Sequence, residues 1–219
     1  MAAANIYTGP TTITAGKLII DGDQTLSTGA VGVATGAILA GAGIIGGTTT
    51  INAGGTVAPG NSPGTLSFVN GVSFASGSTY AWELFAATDG NAPSGVWDRI
   101  SVNGGVLNIA GGAILVPTFG GTATAPTAGT FWAGDHVWND VIDVTGTATI
   151  DAGSTSAFAI DNSAWSALGA FSTVPAANGQ GVDLVWTAVT TAVPEPGTWA
   201  GAFAAVAGLA WLRTRRRAA

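Results

Sequence analysis

Residues 48–66 read TTTINAGGTVAPGNSPGTL, and this stretch decides the fold. Around Ile51 polar and apolar residues alternate, and a period of two places one side chain inside a β-structure and the next outside. Gly54 follows at a point where a positive φ or a close approach of two chain segments requires a residue without Cβ. The Pro-Gly-Asn-Ser-Pro-Gly segment predicts two successive turns, each with a proline that presets φ and a glycine that permits the reversal. These turn residues are Pro59, Gly60, Asn61, Ser62, Pro63 and Gly64.

The same four-residue pattern recurs along the chain: an apolar residue, two small or polar residues, then glycine. Its first four glycines are 20, 18 and 23 residues apart, and the later gaps of 35 and 41 are near twice that. A period near 20 indicates one solenoid coil, since three strands of about five residues and three corners account for that length. Each coil buries its apolar face only against the next coil. The glycines are Gly16, Gly36, Gly54, Gly77, Gly112 and Gly153.

The spacing predicts an all-β fold: a right-handed parallel β-helix, then a looser β C-terminal region and one C-terminal transmembrane helix. We assign the β-helix to residues 1–120, a β-rich capping region to 121–192 and a sorting tail to 193–219. A β-sandwich of antiparallel hairpins is the alternative, and it gains weight after residue 120, where the repeat loosens. Hairpins across residues 10–80 would contradict the β-helix.

Charge is scarce and unevenly placed. Charged residues make up 8% of the chain, far below the ~25% of ordinary soluble domains. Residues 1–192 hold two basic side chains, Lys17 and Arg99, against eleven acidic ones, a formal charge of −9. Such a surface cannot neutralise a run of phosphates, which excludes nucleic acid as a partner. The chain has no cysteine, so disulfides and cysteine metal sites are excluded, and we expect neither a metal nor a cofactor.

The last 27 residues combine a stiff proline-rich break, an apolar stretch and a basic cluster, in that order. The apolar stretch from Trp199 to Leu212 carries no charge, and arginines after such a span stay on the cytoplasmic side of a membrane. Fourteen residues at ~1.5 Å each give roughly 21 Å against a hydrocarbon core of ~30 Å. We expect a weakly inserting span that serves as a temporary handle. The break is Val193, Pro194, Glu195 and Pro196, and the cluster is Arg213, Arg215, Arg216 and Arg217.

This end resembles the PEP-CTERM sorting signal of Gram-negative bacteria that make exopolysaccharide. The resemblance covers residues 193–217, with motif, apolar span and arginine cluster in order. It implies a membrane-embedded exosortase that recognises the Pro-Glu-Pro motif and cuts near it. It also implies that the terminal helix lies in the inner membrane before processing and that everything before Val193 is exported. An ordinary C-terminal membrane anchor and a buried core helix are the alternatives.

Residues 48–66, with their Pro-Gly-Asn-Ser-Pro-Gly core, resemble the autotransporter-associated β-strand repeat. That resemblance implies β-helical coils of the kind found in passenger domains on bacterial surfaces. Autotransporters end in a β-barrel that exports the passenger, whereas here a PEP-CTERM-like tail follows, so we expect no self-export. The first residues, Met1 to Asn5, lack the positive and apolar regions of a signal peptide. We therefore expect the chain to be a fragment of a longer protein.

Few residues are candidates for chemistry. His136, beside Asp135, is the only histidine, and a triad or zinc site needs further partners, so we interpret it as structural. Glu83 and Asp98, each next to a tryptophan, could pair as the carboxylates of a glycosidase. Since Glu83 alternates with apolar residues and Asp98 adjoins Arg99, the interpretation that we favour is a surface position or a single salt bridge. Polysaccharide lyases also use parallel β-helices, but they commonly need a cluster of basic and acidic residues. Two basic side chains in residues 1–192 make such a cluster hard to place.

Two further patterns have a functional and a structural interpretation. The Asp21-Gly22-Asp23 segment is the closest approach to a calcium loop, and we interpret it as a turn. Exposed in a row, the tryptophans before the tail could stack on sugar rings; buried, they would pack the C-terminal coils. We favour burial. These tryptophans are Trp82, Trp97, Trp132, Trp138, Trp165 and Trp186.

Taken together, the sequence predicts a non-enzymatic structural or adhesion protein of the cell envelope or biofilm matrix, at the surface of a Gram-negative bacterium or secreted by it. No catalytic residue is assigned. The expected partners are an exosortase-type processing enzyme, the membrane through the terminal helix, and an exopolysaccharide. The alternative is a β-helix protein that binds carbohydrate or cleaves polysaccharide.

Overall fold

Short β-strands separated by tight corners make up most of the described chain. A computed structural model describes residues 1–90, 95–128, 131–152, 154 and 157–189. Met1–Val189 forms one unit, and the second unit, Thr190–Ala219, lies outside the described residues together with the whole predicted tail. The strands are β1 Thr11–Ile13, β2 Gly16–Ile19, β3 Asp23–Gln24, β4 Val31–Val33, β5 Ala37–Gly41, β6 Ile44–Ile45, β7 Thr49–Ile51, β8 Thr56–Pro59, β9 Thr65–Phe68, β10 Val72–Phe74, β11 Thr79–Leu84, β12 Arg99–Val102, β13 Val106–Ile109, β14 Ile114–Phe119, β15 His136–Val144, β16 Thr149–Ile150, β17 Gly169–Pro175 and β18 Gly181–Ala188, with a 3-10 turn at Phe131–Ala133.

From β1 to β13, each strand pairs with the strand three positions further along the chain, which is the topology of a three-sided coil. The first sheet runs β1-β4-β7-β10-β13-β16, the second β2-β5-β8-β11-β14, and the third β3-β6-β9-β12-β15 followed by β18 and β17. The ladders between coils are parallel, from β1–β4 to β13–β16. The predicted all-β fold with stacked parallel coils is confirmed, and the hairpin sandwich is wrong for residues 10–80. The handedness of the coil stays a prediction.

The strand register explains the uneven glycine spacing. In the first sheet Thr11, Val31, Thr49 and Val72 are successive partners, so the early coils contain 20, 18 and 23 residues. Val72 then pairs directly with Leu107, 35 residues on. The long gaps are therefore single coils with insertions, not the two coils that a doubled period suggested. The first insertion leaves the coil after β11 and returns at Trp97, which bridges to Leu84.

Alternation along each strand fills the inside of the coil. In the first sheet the inward positions are fully buried, and the residues between them face outward. Stacked valine, leucine and isoleucine side chains each contribute about 1.5 to 3 kcal/mol on complete burial. The period-two prediction is thus confirmed. The inward stack of the first sheet is Ile13, Val33, Ile51, Phe74 and Ile109, and that of the second is Leu39, Val57, Tyr80 and Leu115.

The predicted corner glycines bond to one another from coil to coil. The amide of Gly36 donates to the carbonyl of Gly54, that of Gly54 to Gly77, and that of Gly77 to Gly112, each at 2.8 Å. Gly54 has a φ of 73°, in the left-handed region where a side chain is strained. The repeat therefore specifies both the reversal and the hydrogen bond that holds the next coil.

The C-terminal part of the unit changes from parallel to antiparallel pairing. Coils continue in parallel through β16, after which β17 and β18 form an antiparallel hairpin on β15. This hairpin packs Phe171 and Trp186 against the Trp132 ring. The capping region and the domain boundaries stay predictions. Within the described ranges we find no helix of the length and apolarity needed to cross a membrane. The predicted span from Trp199 to Leu212 lies outside them.

Candidate functional site

The repeat turn at residues 59–64 lies on the outside of the coil between β8 and β9. Gly60 has a φ of 82° and Ser62 a φ of 75°, and the Ser62–Pro63 peptide bond is cis. Gly64 has no positive φ; a Cβ there would lie 2.7 Å from the Cα of Gly60. The prediction of a reversal at each glycine is therefore correct for Gly60 only. Gly64 is required because two backbone segments touch.

Asp98 anchors this turn to the neighbouring coil. Its Oδ1 accepts from the Gly64 amide at 3.0 Å and its Oδ2 from the Glu83 amide at 3.1 Å, and the residue is 4% exposed. Burial raises the pKa of the Asp98 carboxyl to about 7, even though the two amide donors oppose the shift. Both carboxylate oxygens of Asp98 therefore accept hydrogen bonds from backbone amides, which is a structural role.

Glu83 and Arg99 complete the surroundings of Asp98. The Glu83 carboxylate accepts from the Ser62 hydroxyl at 3.1 Å, so this side chain also fastens the repeat turn. The Arg99 guanidinium lies over the Trp97 ring, 5.1 Å from its centroid. The expected salt bridge between Asp98 and Arg99 is wrong, because Asp98 instead accepts from two backbone amides. The two residues are neighbours through the Glu83 amide, while the Asp98 carboxylate is buried and the Glu83 carboxylate is bonded to Ser62.

We expect the stability of the protein to fall as the pH rises from 4 to 8. The folded-state pKa of Asp98 is raised, so its stabilising contribution is complete below the unfolded value of 3.8 and is lost as the pH passes about 7. Full conversion of the shift gives ~4 kcal/mol, and relaxation around the buried charge should reduce the loss to roughly 2 kcal/mol. Urea unfolding at several pH values measures it.

The Asp98→Asn variant is the control for this pH dependence. An amide stays neutral and keeps one acceptor oxygen, so we expect a flatter profile over the same range. The pKa values of Asp140 and Asp143 are also raised, first by burial, and they add smaller effects of the same sign. A profile as steep in the variant as in the parent would assign the effect to other groups.

His136 is held by both ring nitrogens. Its Nδ1 lies 2.6 Å from Oδ2 of Asp89, and its Nε2 lies 2.5 Å from the carbonyl oxygen of Phe131. The ring stacks on Phe131 with centroids 3.6 Å apart. Asp135, the neighbour noted in the sequence, turns away and accepts from the Ala188 amide at 2.8 Å. The partner Asp89 lies 47 residues away in the chain, and no local pattern could have revealed it.

The tryptophans do not form an exposed row. Trp82, Trp138 and Trp186 are fully buried, and Trp165 is partly buried. Trp138 packs edge-on against Trp82 with ring centroids 5.4 Å apart. The indole of Trp186 donates to the Trp132 carbonyl at 3.0 Å. Burial, the interpretation that we favoured, is confirmed for Trp82, Trp97, Trp132, Trp138 and Trp186.

The acidic side chains of the candidate calcium loop, Asp21 and Asp23, accept hydrogen bonds from other groups of the protein. Oδ1 of Asp21 accepts from the Ala42 amide at 3.1 Å and from the Asn61 side chain at 3.0 Å. Asp23 accepts from the Thr25 amide at 2.8 Å, as expected for a turn. Sequence reasoning missed buried Asp183, whose Oδ1 accepts from the Asp140 amide at 2.8 Å. In the described part of the chain, no three His, Cys, Asp or Glu residues are arranged to hold a metal ion.

Comparison with known proteins gives one informative likeness. No family model matches the chain. The adhesin BmaC autotransporter of Brucella suis biovar 1 (strain 1330) is 41% identical over 121 residues. The match covers 54% of this chain and 4% of that protein, so the chain spans only a small part of this curated relative. The likeness supports the autotransporter-associated repeat inferred from residues 48–66. The PEP-CTERM resemblance stays a prediction.

Proposed function

We propose that this chain is part of a non-enzymatic surface protein that acts in adhesion or in the biofilm matrix of a Gram-negative bacterium. The observation that carries the proposal is the combination of stacked parallel coils with 41% identity to a segment of an autotransporter adhesin. We further propose a right-handed coil, in keeping with the usual handedness of parallel β-connections. The coils serve as a rigid support for an outer surface.

The outer side of the first sheet is the surface that we assign to contact. Thr12, Gly32, Thr50, Ser73 and Asn108 are aligned in register along it, one per coil. We call these five residues the polar row. Parallel strands lie ~4.8 Å apart, so the hydroxyl and amide groups of Thr50, Ser73 and Asn108 repeat at that spacing, while Gly32 leaves about twice that distance between Thr12 and Thr50. Uncharged hydrogen-bonding groups suit the hydroxyls of a neutral exopolysaccharide, which the acidic chain would not repel.

Valine replacements in the polar row test this assignment. The double variant Thr12→Val, Thr50→Val removes two outward hydroxyls and keeps the side-chain shape. We expect about fivefold to thirtyfold weaker retention on an immobilised neutral exopolysaccharide, because each of the two lost hydrogen bonds contributes about 0.5 to 1 kcal/mol. The matched control is Thr56→Val, Thr79→Val, on aligned strands of the second sheet. Equal retention of parent and both variants would remove the polar row from the proposal.

The tail gives the proposed route to the surface. The motif Val193 to Pro196 is the proposed exosortase recognition sequence, and Trp199 to Leu212 the span held in the inner membrane before processing. Arg213 and the arginines after it would stop transfer. Deletion of residues 193–219 from the exported protein should move it from membrane fractions to the medium. A deleted protein that stays in the membrane fraction would contradict this role for the tail.

The carbohydrate-cleaving alternative has a separate test. Release of reducing ends from a polysaccharide, abolished by Glu83→Gln or Asp98→Asn, would establish an enzyme and overturn the non-enzymatic proposal. We expect no release, because the Asp98 oxygens are engaged with the amides of Gly64 and Glu83. Sugar binding that depends on tryptophan would point to Trp165, since Trp132 and Trp138 are 2% and 0% exposed.

A further inference from the structure

A short segment after β11, residues 85–90, leaves the coil and lies along β15. The Gly90 amide donates to the Val137 carbonyl at 2.7 Å, and the Trp138 indole donates to the Thr88 carbonyl at 2.8 Å. The third fastening is the pair formed by Asp89 and His136. We call residues 85–90 the strap. These contacts and a fourth, from the Asn139 amide to the Gly90 carbonyl at 3.4 Å, place it over the edge of the buried Trp138 ring.

The hydrogen bonds of His136 require a particular protonation state. Oδ2 of Asp89 and the carbonyl oxygen of Phe131 are both acceptors, at 2.6 Å and 2.5 Å from the two ring nitrogens. A neutral imidazole has one N–H and one lone pair, whereas the imidazolium has two N–H donors. Only the imidazolium satisfies both partners. With the neutral ring, one nitrogen lone pair would face an oxygen lone pair at close range.

Among the groups that surround the His136 ring, the Asp89 carboxylate is the charged one that contacts it directly. From the strap, the Asp89 carboxylate faces Nδ1. On its own strand, the preceding Asp135 bonds to the Ala188 amide. Phe131 and Trp132 face the ring from the 3-10 turn, and Trp186 is its register partner on β18; these three carry no charge. Phe131 contacts the ring through an uncharged carbonyl, so the strap is the one of these elements that attaches to the ring through a charged group.

We propose that His136 is a proton-dependent latch that fastens the strap to β15 in acid and loosens it as the pH rises. Histidine side chains change charge between about pH 5 and 8. Loss of the ring proton leaves one N–H for the two acceptors and removes the charge attraction to Asp89, which weakens a contact of a class about twice as strong as a neutral hydrogen bond. The strap then opens more often and exposes the edge of Trp138, while the coils stay stacked.

Hydrogen exchange on the full chain tests the latch. The Gly90 amide bonds to Val137 across the strap, so its protection factor reports opening. We expect that factor to fall about tenfold between pH 5 and 8, relative to the Ala110 amide of the coil. This reference corrects for global stability changes, including that from Asp98. Because the chain has a single histidine, its ring signals follow the proton directly, and the fall should track them.

Two variants separate the latch from general electrostatics. Asp89→Asn removes the carboxylate charge that attracts the imidazolium, and its amide can pair with the neutral or the protonated ring. We therefore expect its relative Gly90 protection to change less than twofold over the same range. Asp135→Asn changes a charge of equal size beside His136 but keeps both ring contacts, so the tenfold fall should persist. The proposal is wrong if the parent shows no relative fall, or if Asp89→Asn keeps it.

Discussion

The Gly47→Ala variant is expected to lose about 4 kcal/mol of unfolding free energy or to fail to fold. Gly47 is buried at the corner between β6 and β7, and a Cβ there would collide with the carbonyl oxygen of Gly29 in the preceding coil. The colliding atom belongs to the backbone, so no side-chain rotation relieves the clash. The coils would have to separate locally, a strain at or above the upper end of overpacking costs. Denaturant unfolding followed by circular dichroism measures the loss.

Gly32→Ala is the matched control. Gly32 faces outward on β4, has no positive φ, and a Cβ there would meet nothing within 4 Å. Alanine at such a position is expected to be neutral or slightly stabilising, because it restricts the unfolded chain. If the two variants unfold within about 0.5 kcal/mol of each other, the coils are not in contact at the Gly47 corner.

The coil could be predicted because its signals are local. Alternation around Ile51 and the recurrence of glycine arise from contacts between equivalent residues of successive coils, so they repeat in the sequence. Insertions break this relation. The 35 residues from Gly77 to Gly112 contain a single coil, since β11 pairs directly with β14, and no local pattern separates an inserted segment from a second coil.

The side-chain contacts were less accessible to sequence reasoning. Adjacency in the chain suggested Arg99 as a partner of Asp98, whereas the observed partners are the amides of Gly64 and Glu83. His136 pairs with Asp89 and not with its chain neighbour Asp135. Gly64 comes from the preceding coil, Glu83 from the strand before the insertion, and Asp89 from the insertion itself. In a solenoid the spatial neighbour lies about one coil away in sequence, so adjacency along the chain is a poor guide.

The tail that we propose as a sorting signal is the opposite case, because its pattern is contiguous in the sequence. Its proline motif, apolar span and arginine cluster are contiguous between residues 193 and 217, so a resemblance can be recognised without any fold. The adhesin likeness is independent evidence for the coils, and it bears on a different property of the protein. Fold and route to the surface therefore rest on separate observations and fail separately.

The Trp138→Ala variant is expected to lose about 4 to 5 kcal/mol of unfolding free energy. Trp138 is the central ring of a cluster with Trp82, Trp132 and Phe171, which we call the aromatic cap. Trp138 is fully buried, with Trp82, Trp132 and Phe171 rings at centroid distances of 5.4, 5.9 and 5.9 Å. Truncation leaves a cavity between the last coil and the β17–β18 hairpin, and large-to-small changes of this kind cost about 3 to 5 kcal/mol. The Thr88 carbonyl also loses its donor.

Trp165→Ala is the control, and it separates packing from the number of tryptophans. Trp165 touches the same cluster, 5.4 Å from Phe171, but is only partly buried. Its neighbours can be reached by water after truncation, so we expect a loss of about 1 to 2 kcal/mol. Chemical unfolding of both variants decides the matter. Equal losses would mean that the hairpin is held by its backbone ladder with β15, and that the aromatic cap contributes little to the end of the coil.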